Sequence, residues 1–149
     1  MNMMMNIMSS QSTKENKTTK KAVVKVMIAE SDVTKVFDFF ENVKNMETGG
    51  ALKSVRKDEN GWWTCDSPVG NAKIKIIHNN RELGVLDHVF LVNRIEWKVH
   101  VRIVPNYNGS TTSWILTRPD ELSEEEFEAQ LNGFDSEIAG WKSALSLSV

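Results

Sequence analysis

The sequence predicts an α+β domain in which a curved antiparallel sheet of about seven strands, in the order β-α-α-β6-α, wraps one long C-terminal helix. Three observations predict it. Phe127, Leu131, Phe134, Ile138, Trp141 and Leu145 recur at steps of 4, 3, 4, 3 and 4. At 100° per residue they share roughly 80° of a helix circumference, a stripe that needs a broad apolar partner. Ahead of it stand six segments of strand character separated by turn residues, which supply that partner. The hairpins among those segments, registered by their turn lengths, agree on one apolar face and one charged face.

Residues 1–20 lack a helical or strand period and read as a disordered tail, which leaves 21–149 as the one domain. Ala22–Ala29 is a first strand, with Val24, Val26 and Ile28 on one face and Lys25 on the other. Ser31 is placed to cap a helix carrying Val33, Val36, Phe37, Phe40 and Val43, and a short second helical turn ends at Gly49-Gly50. Strands follow at Leu52–Lys57, Trp62–Ser67, Ala72–Asn79, Val85–Val92, Ile95–Val104 and Ser110–Thr117. The last helix opens with Leu122 and Phe127 at the staple positions, while Ser123 and Glu126 can cap each other's amides. Its three first-turn carboxylates suit the positive end of the helix dipole. Gly133 and Gly140 fall away from the apolar stripe and read as tolerated, at ~1 kcal/mol each relative to alanine.

Around Pro68-Val69-Gly70-Asn71, Ser67 should oppose Ala72, Cys65 should oppose Ile74 and Trp63 should oppose Ile76, with Trp62 facing Ile77 behind them. A two-residue Asn93-Arg94 turn sets Val92 against Ile95, Phe90 against Trp97, His88 against Val99 and Leu86 against Val101, with Asp87 facing His100 outside. The Asn108-Gly109 turn sets Ile103 against Trp114 and Val101 against Leu116. The turn at Glu59-Asn60-Gly61 leaves its register open, since Leu52 and Val55 demand opposite choices. The inner face then carries Trp63, Cys65, Ile74, Ile76, Leu86, Phe90, Ile95, Trp97, Val99, Val101, Trp114 and Leu116. His88 joins it by registry and His78 by alternation with Ile74 and Ile76. Such a face makes either a solid core or an aromatic-lined cavity with a few orienting polar groups.

Composition narrows the function. Residues 1–21 hold four lysines against Glu15, +3, so the domain behind them carries −5 of the total −2, which argues against a nucleic-acid platform. One cysteine allows no internal disulfide, no segment approaches the ~20 apolar residues of a membrane span, and the methionine-rich start lacks the parts of a signal peptide. The cytoplasm is the expected compartment. Three histidines and Cys65 lack the spacing of a metal site, and phosphate-loop, dinucleotide and nucleophile-elbow motifs are absent, so no metal or cofactor is expected. Cys65 beside His88 could form a nucleophile pair, but an inward lone cysteine reads as a small hydrophobe.

Val33-Thr34-Lys35-Val36-Phe37-Asp38-Phe39-Phe40, Trp63 through Gly70, Gly84-Val85-Leu86-Asp87-His88, Arg102-Ile103-Val104-Pro105-Asn106 with Asn108-Gly109-Ser110, and Ser123-Glu124-Glu125-Glu126-Phe127 together resemble the START-like, or SRPBCC, superfamily of the Bet v 1 helix-grip fold. The similarity is strongest to its polyketide cyclase/dehydrase-like branch and spans about residues 22–146. It implies binding of a hydrophobic or amphipathic small molecule between sheet and helix; some members are cyclases or aromatases and others co-chaperone modules. No catalytic set is shared across the superfamily, and none is carried over.

The expected function is therefore binding of such a ligand by Trp63, Ile76, His78, Leu86, His88, Phe90, Trp97, Val99, Trp114, Phe127, Leu131, Phe134 and Ile138. The enzyme alternative is a cyclase or dehydratase using His88 or His78 as general acid or base, since histidine can serve both roles at neutral pH. A protein-interaction module is the third reading, with Trp62 opposite Ile77 as the surface for a homodimer.

Overall fold

The Ser123 capping box closes in both directions in the computed structural model, which describes residues 18–147. Glu126 N–H donates to Ser123 Oγ at 3.1 Å and Ser123 N–H to Glu126 Oε1 at 2.9 Å. All but the last three residues of the expected tail, 1–20, lie outside the described range. The elements run β1 (Ala22–Ala29), α1 (Val33–Glu41), a 3-10 helix (Val43–Gly49), β2 (Lys53–Lys57), β3 (Trp63–Ser67), β4 (Gly70–Asn80), β5 (Val85–Val92), β6 (Ile95–Asn106), β7 (Gly109–Thr117) and α2 (Glu124–Leu147). The seven strands form one curved antiparallel sheet in the order β1-β7-β6-β5-β4-β3-β2, with α2 lying against its inner face.

Asn93 and Arg94 both take positive φ, 53° and 64°, as a two-residue hairpin turn requires. The β5–β6 register follows as expected: Val92 with Ile95, Phe90 with Trp97, and His88 with Val99. The other two hairpins are displaced by two residues. Pro68-Val69 alone makes the β3–β4 turn, so Cys65 pairs with Ala72 and Trp63 with Ile74. Tyr107-Asn108 makes the β6–β7 turn, so Val101 pairs with Trp114 and Ile103 with Thr112. Gly109 belongs to the strand rather than the turn: a Cβ there would stand 2.2 Å from the Ala29 carbonyl oxygen, so only glycine fits. A two-residue shift preserves which face each side chain occupies, and the core survives.

Single-residue bulges do change faces. The β2–β3 register slips between Lys53 and Arg56, with Ser54 at φ 55°, and this lets Leu52 and Val55 both be buried. The β4–β5 register slips between Ile76 and His78 and turns His78 outward. Trp62 does not face Ile77 either, because the displaced β3–β4 register brings it to Lys75, whose ammonium lies 5.5 Å from its ring centre. On β1 the inward residues are Met27 and Ala29, while Val24, Val26 and Ile28 lie exposed. Lys25 pairs with Asp135 of α2 at 2.9 Å. α1 starts one residue later than expected: Asp32, not Ser31, accepts the Lys35 N–H at 2.9 Å, while the Ser31 carbonyl accepts the Ser110 hydroxyl.

Phe127, Leu131, Trp141 and Leu145 of the α2 stripe are buried; Phe134 and Ile138 are partly exposed. Phe40, Trp114, Phe134 and Trp141 form a cluster of rings with centroids 5.3–5.6 Å apart, mostly edge to face. Gly140 is not a tolerated outward glycine. A Cβ on it would lie 2.5 Å from the Thr48 carbonyl oxygen and 2.9 Å from Gly49 Cα, so it lets α2 touch the backbone of the 3-10 helix. The Trp141 indole N–H donates to the Met46 carbonyl at 3.1 Å beside this crossing. Gly133 faces open space. No helix among the described residues is long and apolar enough to cross a membrane.

Candidate functional site

The aromatic cluster does not fill the space between sheet and helix. A cavity of about 120 Å³ with an open mouth, room for a small guest, remains between them. The sheet contributes Ile74, His88, Phe90, Trp97, Val99, Trp114 and Leu116; α2 contributes Gln130, Leu131, Phe134, Glu137 and Trp141; Met46 and Leu52 complete the wall. A far smaller void, of about 10 Å³, adjoins it, shares Met46, His88 and Trp114, and is also lined by Ile76 and Leu86.

Of the residues expected from the sequence, His88, Phe90, Trp97, Val99, Trp114, Leu131 and Phe134 line the main cavity, and Ile76 and Leu86 line only the smaller void. Phe127 is fully buried and stacked on Trp97 at 5.7 Å, so it supports the wall from behind. Trp63 and Ile138 pack at the margin of the core and line neither space. His78 leaves the site altogether. Its side chain is 62% exposed on the outer face, where Nδ1 lies 3.1 Å from Asp87 Oδ2. The Ile76–His78 bulge is the cause, and the histidine can take no part in pocket chemistry.

Asp87 itself organises that outer face. His100 Nδ1 lies 3.2 Å from the same oxygen, Arg102 stands 3.9 Å from the other, and the Val101 N–H donates to Oδ1 at 2.9 Å. Burial alone would raise this carboxyl, but the Val101 amide and the two histidines outweigh it and hold it below its ordinary value. The Asp87-His88 string thus points two ways, a buried carboxylate beneath the outer-face histidines and a pocket imidazole on opposite faces of one strand.

Among the described residues of the cavity wall, only His88 and Glu137 can carry charge. Burial pushes the His88 imidazole down to about 4, with the Leu86 carbonyl, 3.5 Å from Nδ1, acting weakly in the other direction. The ring is neutral at physiological pH. Burial pushes the Glu137 carboxyl up to about 7, and among the described residues it has no hydrogen-bond or ion-pair partner. Glu137 was not expected from the sequence, although a signal exists: Gln130 and Glu137, one heptad apart, lie on a shoulder of the stripe roughly 20–40° beyond Trp141. The buried Trp97 indole N–H also lacks a partner among the described residues. Cys65 is buried, and its thiol is pushed up to about 11 by that burial, so it is a packing residue. Among the described residues no group of three or more His, Cys, Asp or Glu could hold a metal.

No family model matches the sequence, and no curated protein does. Solved structures do match the fold. A START superfamily protein from Mycobacterium smegmatis superposes with a TM-score of 0.68 at 6% identity, over 86% of this chain and 99% of that one. Ara h 8.0201, a Bet v 1 homologue, gives 0.62 at 11%, over 84% and 97%. DynU16, from the dynemicin biosynthetic locus, gives 0.65 at 15% over 85% of this chain, which spans about half (47%) of that protein. At such identities the likeness is one of fold: the chain has the helix-grip architecture shared by START and Bet v 1 proteins.

Proposed function

We propose that this domain binds one hydrophobic or amphipathic small molecule in the cavity between the sheet and α2. One observation carries the reading. Among the described residues the space is walled by five aromatic side chains and aliphatic ones, with His88, Gln130, Glu137 and the unpartnered Trp97 indole N–H as the few polar groups able to orient a guest, which is the composition of a ligand pocket. The residues that take part are His88, Phe90, Trp97, Val99, Trp114, Leu131 and Phe134 from the sequence expectation, joined by Glu137 and Trp141. The START and Bet v 1 fold, whose resemblance implies ligands held between sheet and helix, supports the same place. Native mass spectrometry of the purified full chain tests it. We expect a mass excess that denaturation releases and that a cavity-filling Val99→Phe variant lacks. A bare chain mass, together with no thermal stabilisation by any of a panel of hydrophobic compounds, would overturn the reading.

A second reading is favoured by the two ionisable groups themselves. His88 and Glu137 share one apolar space, and burial drives their protonation equilibria in opposite directions, the arrangement that lets one group act as acid and another as base. In that reading the bound molecule undergoes a proton transfer of the cyclase or dehydratase kind, with His88 as the base.

A further inference from the structure

The cavity wall is asymmetric in charge. Among the described residues it contains no lysine or arginine, so a carboxylate or phosphate headgroup entering it would meet no cation and would lie near the Glu137 carboxyl. That carboxyl, in turn, has no hydrogen-bond or ion-pair partner among the described residues, and it stands half-buried in the wall with Phe134 and Trp141 one helical turn to either side of it. A buried carboxyl without a donor is costly when ionised, and a guest that brings its own cation removes the cost.

The rings around it favour the same guest. Trp97, Trp114, Phe134 and Trp141 line the same space as Glu137, and aromatic rings attract an organic cation, most strongly once water is excluded. His88 is the other ionisable wall residue, and its imidazole is uncharged, so it does not repel a cation.

Building on the proposal that this cavity binds a small molecule, we infer that its ligand is an amphipathic organic cation. The apolar body fills the space beside Trp97, Val99 and Leu131, and the protonated amine lies against Glu137 and the faces of Trp114 and Trp141.

The test compares three probes of one shape: 2-naphthylmethylamine, 2-naphthylmethanol and 2-naphthoate, titrated calorimetrically against the full chain at neutral pH. The amine should bind about tenfold or more tightly than the alcohol, and the carboxylate weakest of the three. In Glu137→Gln the amine should lose that advantage and fall within about twofold of the alcohol measured in the same variant. The wild-type ranking needs no variant, so the inference is decided even if Glu137→Gln does not fold. Binding of the alcohol as tightly as the amine, or a preference for the amine that persists in Glu137→Gln, overturns the inference and leaves the ligand-cavity reading standing. Binding by none of the three overturns both.

Discussion

Replacing Glu137 with glutamine should make the stability of the ligand-free protein depend on pH in a way the wild type's does not. The folded chain protonates His88 at about 4, against an ordinary 6.5, and keeps the Glu137 proton to about 7, against an ordinary 4.5. Between pH 6.5 and 4 the unfolded chain binds a histidine proton that the folded chain refuses, so His88 lowers stability as pH falls. Between pH 4.5 and 7 the folded chain holds a carboxyl proton that the unfolded chain sheds, so Glu137 lowers stability as pH rises. At about 1.36 kcal/mol for each pH unit separating folded and ordinary values, each effect amounts to about 3 kcal/mol. The windows overlap and the signs oppose, so wild-type stability should be nearly flat from about pH 4.5 to 6.5. Glu137→Gln should uncover the histidine and gain about 3 kcal/mol between pH 4 and 6.5. His88→Gln should uncover the carboxyl and lose about as much between pH 4.5 and 7. Asp87, held below its ordinary 3.8, contributes a loss only under that value and does so in all three proteins. Urea denaturation followed by tryptophan fluorescence at half-unit steps from about pH 4 to 8 measures the three curves. Parallel curves for wild type and both variants would refute the burial argument for the two groups.

Phe134→Ala should cost about 2 kcal/mol, below the 3–5 of a fully enclosed ring, because Phe134 borders the cavity and touches only Trp114 and Trp141 among the rings; a denaturant-measured loss above 4 would mean the ring is packed on all sides. The two α2 glycines should respond oppositely to alanine. Gly133→Ala, into open space, should raise stability by up to about 1 kcal/mol, whereas Gly140→Ala, aimed at the Thr48 carbonyl and Gly49, should lower it. Stabilisation by both changes in a thermal melt would contradict the close crossing. His88→Gln keeps size and hydrogen bonding, so in a binding protein it should change ligand affinity by less than about tenfold. If the pocket catalyses proton transfer, the same change should lower turnover by 10²–10⁴ with binding retained; a loss of binding above a hundredfold would contradict both readings.

The helix stripe and its capping box were legible because they are local: six apolar residues at helical steps and a Ser–Glu pair three apart say where α2 begins and which side it buries. The sheet's inner face was legible for a different reason. Misplacing the Pro68-Val69 and Tyr107-Asn108 turns by two residues leaves every side chain on its proper face. One-residue events have no such protection. The bulge beside Ile77 sent His78 to the surface, and the bulge at Ser54 reconciled Leu52 with Val55, two outcomes that depend on how neighbouring strands bend rather than on alternation. Glu137 was hidden because a carboxylate on the shoulder of an amphipathic stripe usually faces water. Here the 3-10 helix closes over that shoulder, with Gly49 and Gly140 in contact, and the backbone proximity that achieves it leaves no periodic trace. Nor can periodicity tell a filled core from a cavity, since the same rings serve both.

The space between the sheet and α2 should accept a small apolar guest. Titration of the uncharged fluorophore N-phenyl-1-naphthylamine into the full chain tests it most directly, alongside a Val99→Phe variant with matched circular dichroism. Enhancement should saturate at one site per chain in the wild type, with an affinity at least about tenfold weaker in the variant, whose ring occupies the cavity. Equal enhancement in both proteins, or none that saturates in the wild type, would contradict it.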